Sequence, residues 1–290
     1  MAAKSKSQIG GTKTSVLTVL GTGLFVVLCF LIVFPIFAGL LASFRPGQQL
    51  MRNGLSIDLD FSTMSLANYQ YIFSFNADSM KYMNAFKNSL FLTFVTVVGT
   101  LVVCYFVAYG ISMYDFKLRN LLFFLVIATM MVPFEILMLP LYQEIIKLNL
   151  TDTTWGVILP GLCGASTIFF FRQYMIGLPK ELLEAGRIDG ASEYGICVRI
   201  MLPIVKPAFA SMAILTSMGS WNNLLWPMLV YRSAEKFTLP VYLNGLLTPY
   251  GNNYDILIAG SMFSILPVMV VFLCFQSYFI DGMVAGAVKG

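Results

Sequence analysis

Six stretches of this chain carry no charged residue over lengths that cross a bilayer, which takes about 17–25 residues of helix. They are Thr14–Phe44, Asn88–Tyr114, Asn120–Phe134 (resuming after Glu135 to Gln143), Thr153–Phe171, Ala208–Tyr231 and Ile256–Ile280. Transmembrane barrels alternate in short segments of about ten residues. These runs are continuous, so the expected fold class is an all-α integral membrane protein with six transmembrane helices. Only 11% of the 290 residues are charged, against about 25% in a soluble domain. The first run follows Lys4, Lys6 and Lys13 but is too long for a signal-peptide core of about 7–15 residues, so it is expected to be retained.

Six spans put both termini on one side. With the termini in the cytoplasm, eleven lysines and arginines fall inside and seven outside, and the outer seven are spread over longer loops. The positive-inside bias therefore favours cytoplasmic termini. Three parts are expected: residues 1–83 (a disordered tail, the first span and an outer segment without clear periodicity), residues 84–281 with five helices, and a flexible tail, residues 282–290.

One stretch is too charged for lipid. Leu178–Pro207 holds Lys180, Glu181, Glu184, Arg187, Asp189, Glu193, Arg199 and Lys206 between two apolar runs. A charge at the bilayer centre costs about 2.5–3.5 kcal/mol on insertion scales, so this segment needs water or a partner. Its grammar reads as two short helices with a bend. Pro179 suits a first turn, and Leu182, Leu183 and Ile188 serve as apolar anchors. Asp189-Gly190 breaks the helix, the aspartate being suited to cap the next. That second helix runs through Tyr194, Ile196 and Ile200 until Pro203 discourages it. The small residues Ala185, Gly186, Gly190 and Ala191 leave a low surface that another protein could approach.

Within the spans, polar residues are few. Counted along a straight helix from Asn120, Glu135 lies about 22 Å up, where it either binds solute hydroxyls or caps backbone freed by Pro133. Trp221-Asn222-Asn223 and Trp226-Pro227 either line a polar pathway or bond to neighbouring helices. The aromatics of Asn68–Phe73 either anchor the membrane surface or meet an external partner. There is no histidine, no C-x-x-C and no G-x-x-x-x-G-K-[ST] loop, so the sequence supports neither metal binding nor ATP hydrolysis by this chain itself.

Glu184-Ala185-Gly186-Arg187-Ile188-Asp189-Gly190-Ala191, followed by Ile200-Met201-Leu202-Pro203, resembles the E-A-A…D-G-A…I-x-L-P signature of ABC importer permeases. Asn68-Tyr69, Asn88-Ser89-Leu90, Pro140-Leu141, Arg172, Trp221-Asn222, Trp226-Pro227 and Gly286–Gly290 extend the likeness to carbohydrate-uptake permeases of the shorter, maltose-system kind. The resemblance implies a type I importer permease fold in which the charged elbow is a cytoplasmic coupling helix. It assigns Leu182, Glu184, Ala185, Gly186, Arg187, Asp189, Gly190, Ala191 and Tyr194 to contact with a separate ATPase. The implied partners are a second permease, two ATPase subunits holding ATP and magnesium, and an external sugar-binding protein, with no cofactor on this chain. Gly186 stands where the signature has alanine, and Cys197 stands where phenylalanine is usual, which suggests a smaller knob for the ATPase cleft. A secondary transporter, a channel and an importer of polyol phosphates are the rival readings. The absence of lysine or arginine inside the spans favours a neutral oligosaccharide over a phosphate.

Overall fold

The structure is a computed structural model that describes residues 16–53, 61–74, 77–248 and 251–287. The expected disordered tail, residues 1–13, lies outside the described residues. Helix α1, Val16–Ala42, is apolar all round and exposed over most of its length. Only its C-terminal end docks, where Ala38 and Ala42 are buried and Gly39 admits the Met262 side chain.

The outer segment is more ordered than its sequence suggests. It holds α2 (Gly47–Asn53), a 3-10 turn and α3 (Ala67–Phe73). Buried Asn68 donates to the carbonyls of Ser43 and Arg45, both at 2.9 Å, while the Tyr69 and Ser43 hydroxyls lie 2.7 Å apart. These bonds strap α3 to the exit of α1. Tyr71 and Phe73 are exposed, and Phe73 meets Phe263 edge-on.

Helix α4, Ala77–Met113, begins eleven residues before the expected Asn88. At about 1.5 Å per residue it is about 55 Å long, well beyond a 30 Å hydrocarbon core. Asn88 donates to the Glu235 and Phe237 carbonyls, and Ser89 Oγ accepts from Leu239 N at 2.7 Å. These two residues hold the outer loop against α4.

The third expected span is not one rod. Helices α5 (Arg119–Met130) and α6 (Phe134–Lys147) meet at 104°, because Pro133 lacks the N–H and disfavours helical geometry before it. The fourth is also bent, by 42°, between α7 (Thr154–Ile158, continued by a 3-10 turn at Pro160) and α8 (Ala165–Met175). The elbow follows as α9 (Glu181–Ile188) and α10 (Glu193–Ile204), then α11 (Lys206–Trp221), bent 74° from α10, and α12 (Leu225–Val230). Next come α13 (Leu239–Gly245) and a two-residue antiparallel ladder pairing Leu247 with Asn252. Helix α14, Tyr254–Ala287, carries helix through most of the tail expected to be flexible.

Three described helices are long and apolar enough to cross a membrane, or up to six if each bent pair is one span. Helix α4 is the spine, lying along α8 and α11, with α11 lying along α14. The largest core joins α4, α8, the elbow and α11 through Tyr105, Phe171, Met175, Leu183, Ile196 and Met201. The elbow is thus one piece with the adjoining half of the bundle.

Candidate functional site: a self-braced elbow beneath a hydroxyl-lined cavity

Helix α9 ends in a Schellman motif. Asp189 is its C-cap, Gly190 takes φ +77°, Ala191 N donates to Gly186 O at 2.9 Å and Gly190 N to Arg187 O at 3.0 Å. Glycine alone takes this backbone without strain. Ser192, not Asp189, caps the next helix: its hydroxyl accepts from Gly195 N at 3.1 Å. Pro179 lies just ahead of the N-cap residue, Lys180. Nor does Pro203 stop α10, which winds as π-helix from Ile196 to Met201 and continues to Ile204. A wider turn before the proline relieves its clash with the preceding carbonyls.

Burial divides the predicted coupling residues into two groups. Glu184, Ala185, Arg187, Asp189, Gly190 and Tyr194 are exposed. Ile188, expected as an inward anchor, is 85% exposed, and Tyr194 is 69% exposed with its ring stacked near Phe106. Leu182 and Ala191 are half-buried against the inner core, and Gly186 is buried. A Cβ on Gly186 would come within 2.9 Å of Ile196 Cγ1 and Ile200 Cδ1, so this glycine admits α10, not a partner. Cys197 is likewise no knob. It is buried, its carbonyl accepting from Tyr105 Oη at 2.6 Å, and it joins the π-helical turn to α4.

Two ion-pair groups brace the elbow. Arg187 forks onto Glu193 (Nε to Oε1 2.6 Å, Nη2 to Oε2 3.3 Å), and Tyr114 Oη donates to Glu193 Oε2 at 2.5 Å. Arg187, then Tyr114, hold the Glu193 carboxyl below the ordinary glutamate range. At the entrance, Asp115 accepts from Lys180 Nζ at 2.9 Å and pairs with Arg119. Lys180 first, then Arg119, lower its pKa. Glu184 keeps its carboxylate outside these pairs, with no bond among the described residues.

Above the elbow, α4, α7, α8 and α11 surround a cavity of about 530 Å³. Its polar lining is Thr96, Thr100, Ser166, Thr167, Thr216, Ser220 and Asn223, with Phe134, Phe169, Phe170 and Trp226 as aromatic walls. No ionisable side chain lines it. Of the predicted pathway residues, only Asn223 and Trp226 reach this cavity. Trp226 is largely structural, donating to Val157 O at 3.2 Å. Trp221 is buried and bonds Ser264 O at 3.1 Å; Asn222 closes its own helix by donating to Met218 O at 3.0 Å. Glu135 is exposed in the first turn of α6, off the cavity. It makes no capping bond, and the bend invalidates a depth counted along a straight helix. The threonines and serines escape sequence reasoning because isolated hydroxyls in apolar helices usually bond their own backbone.

The model of the family described as binding-protein-dependent transport system inner membrane component matches residues 101–289. The arabinooligosaccharides transport system permease protein AraQ of Halalkalibacterium halodurans is 52% identical over 266 residues, covering 92% of this chain and 94% of that one. The sn-glycerol-3-phosphate transport system permease protein UgpE of Yersinia pestis bv. Antiqua (strain Antiqua) is 35% identical over 199 residues, covering 68% and 71%. Among solved structures, a bacterial ABC transporter involved in the import of the acidic polysaccharide alginate superposes with a TM-score of 0.75 at 24% identity, over 93% of this chain and 98% of that one. The elbow, the bent spans and these matches together make the chain a member of the binding-protein-dependent transport system inner membrane components, the permease subunits of ABC importers.

Proposed function

We propose that this chain forms half of the pathway of an ATP-driven importer of a neutral oligosaccharide. The observation that carries the reading is the cavity: hydroxyl and amide groups with aromatic walls and no ionisable side chain. Sugar hydroxyls pair with such groups, and aromatic faces cover the apolar faces of pyranose and furanose rings. A phosphate calls for a cation or an array of N–H donors, which this lining does not offer. The likeness to AraQ over nearly the whole chain points the same way and narrows the candidate to pentose oligosaccharides.

In this reading the second permease completes the cavity, an external binding protein delivers solute, and two ATPase subunits hold ATP and magnesium. The chain hydrolyses nothing. Both termini lie in the cytoplasm. The elbow presents Glu184, Ala185, Ile188, Asp189 and Tyr194 to the ATPase; Leu182, Gly186 and Ala191 support it from behind, and Arg187 locks its two helices. Because its core is continuous with α4, α8 and α11, displacement of the elbow tilts the helices that bound the cavity.

The test is uptake by the complete transporter in vesicles. Arabinose oligosaccharides should be imported with ATP inside, without competition from glycerol 3-phosphate; efficient competition overturns the substrate reading. Ala185→Cys, with exposed Cys29, Cys163 and Cys274 replaced, should crosslink to the ATPase. No capture in any nucleotide state overturns the coupling reading.

A further inference from the structure

A second pocket, of about 180 Å³, lies where α4 and α8 end and α5 begins, beside the elbow. Three cations line it: Arg119, Arg172 and Lys180. Among the described residues their one carboxylate is Asp115, already divided between Arg119 and Lys180, and Arg172 has no counterion. Its guanidinium lies 3.6 Å from the centre of the Phe123 ring, and its Nε is buried without a hydrogen-bond partner among the described residues. It sits in the last turn of α8, where a cation meets the helix dipole favourably, yet among the described residues its side chain bonds none of the carbonyls there.

We infer that this pocket binds the phosphate of an anionic phospholipid, with Arg172 as the base of the site and Arg119 and Lys180 as its rim. An orphaned guanidinium N–H beside two further cations matches a phosphate, which Arg binds through parallel N–H···O bonds. The rim favours a lipid as the source. Leu118 and Ile176 are 58% and 51% exposed, and exposed Phe116 extends the same apolar flank, giving acyl chains a surface next to the charged pocket. Lys180 leads directly into α9, so the lipid would brace the root of the elbow. The choice of the cytoplasmic leaflet rests on the orientation proposed above; the site itself does not.

The test counts lipids retained by the purified complete transporter, by native mass spectrometry, after exposure to mixed phosphatidylglycerol and phosphatidylethanolamine. Wild type should retain phosphatidylglycerol selectively. Arg172→Gln and the exposed-rim variant Lys180→Gln should each weaken retention about fivefold, the value of about 1 kcal/mol per cation near an anionic surface. Unchanged retention in both variants overturns the site. Occupancy by inorganic phosphate with the same sensitivity, and no lipid preference, overturns the lipid assignment. Loss of the ATPase from Arg172→Gln with lipid retention unchanged would mark a protein carboxylate as the occupant and also overturn it. Leaflet assignment is read separately, from the sidedness of labelling at Lys180→Cys.

Discussion

The elbow and the loop cluster around Asp152 are built from similar parts and do opposite things with their charge. In the loop cluster, Asp152 takes a positive φ and gathers everything near it. Its carboxylate accepts from the backbone of Arg232 and Ser233, from Ser233 Oγ at 2.6 Å and from Lys236 Nζ at 3.0 Å, while Arg232 reaches Tyr142. Its charge is spent within the cluster. In the elbow, Arg187–Glu193 and Asp115–Lys180 brace it from behind, but Glu184, Ile188 and Tyr194 are left facing out. An exposed isoleucine beside a free carboxylate is poorly explained by folding alone. The loop cluster is a staple; the elbow is a braced handle.

If so, breaking the handle's geometry has the largest effect. Gly190→Pro demands φ near −65° where the chain has +77°, and it removes the N–H that bonds Arg187 O. The strain is of order 1–3 kcal/mol. Vesicle uptake should fall to background while the ATPase subunits still turn over. Wild-type uptake would show that the bend carries no force. Next comes the cavity. Asn223→Leu and Thr216→Val should each lower the apparent oligosaccharide affinity about tenfold, one hydrogen bond of about 1.4 kcal/mol, without changing basal ATP hydrolysis. Unchanged transport concentration curves would remove the cavity from the pathway.

Glu184→Lys separates handle from staple more finely. The side chain is exposed and bonds nothing among the described residues, so thermal unfolding of the complex should not move, while uptake per ATP hydrolysed should drop several-fold. A loss of stability instead would make Glu184 a structural residue. Asp152→Asn should do the reverse, lowering stability by about 1 kcal/mol or less, since exposed pairs are screened, and leaving coupling intact. Acid sharpens this contrast. Ser233, then the Arg232 N–H, hold the Asp152 carboxyl well below the ordinary aspartate range. A depressed carboxylate contributes stability above its unfolded pKa, about 3.9, and loses it as pH falls towards the folded value. Wild type should therefore lose an acid-sensitive part of its stability below about pH 4, and Asp152→Asn should lack that part.

How much of this the sequence reveals follows from what each feature depends on. Helices, charge-free runs and the elbow's bend are legible because they rest on composition, proline and glycine, which act locally. The 104° turn at Pro133 was signalled by the residue, but its angle is set by packing, and Glu135 was misplaced with it. The cavity was legible only as Asn223 and Trp226; its hydroxyls come from three helices that sequence spacing does not align. Asn68 and Asn88 stood out as residues shared with a family, and only the structure supplies the reason: both bind backbone carbonyls of segments distant in the chain.

The smallest effect tests the handle's interior. At Gly186 the family signature has alanine, and an alanine would gain about 1 kcal/mol of helix propensity in α9. Its Cβ would also press on two isoleucines at 2.9 Å. Ile200 is half-buried and its Cδ1 can swing aside; Ile196 is fully buried and cannot. Close packing penalises such an intrusion by about 1–3 kcal/mol when neighbours are fixed, so the two terms nearly cancel with a small net loss. Gly186→Ala should lower the unfolding midpoint slightly, and adding Ile196→Val should recover only a little of it, since valine loses the Cδ1 at 3.3 Å but keeps the Cγ position at 2.9 Å. Should Gly186→Ala alone stabilise the complex by the full propensity gain, α9 and α10 are not in tight contact, and the elbow moves as two pieces, not one.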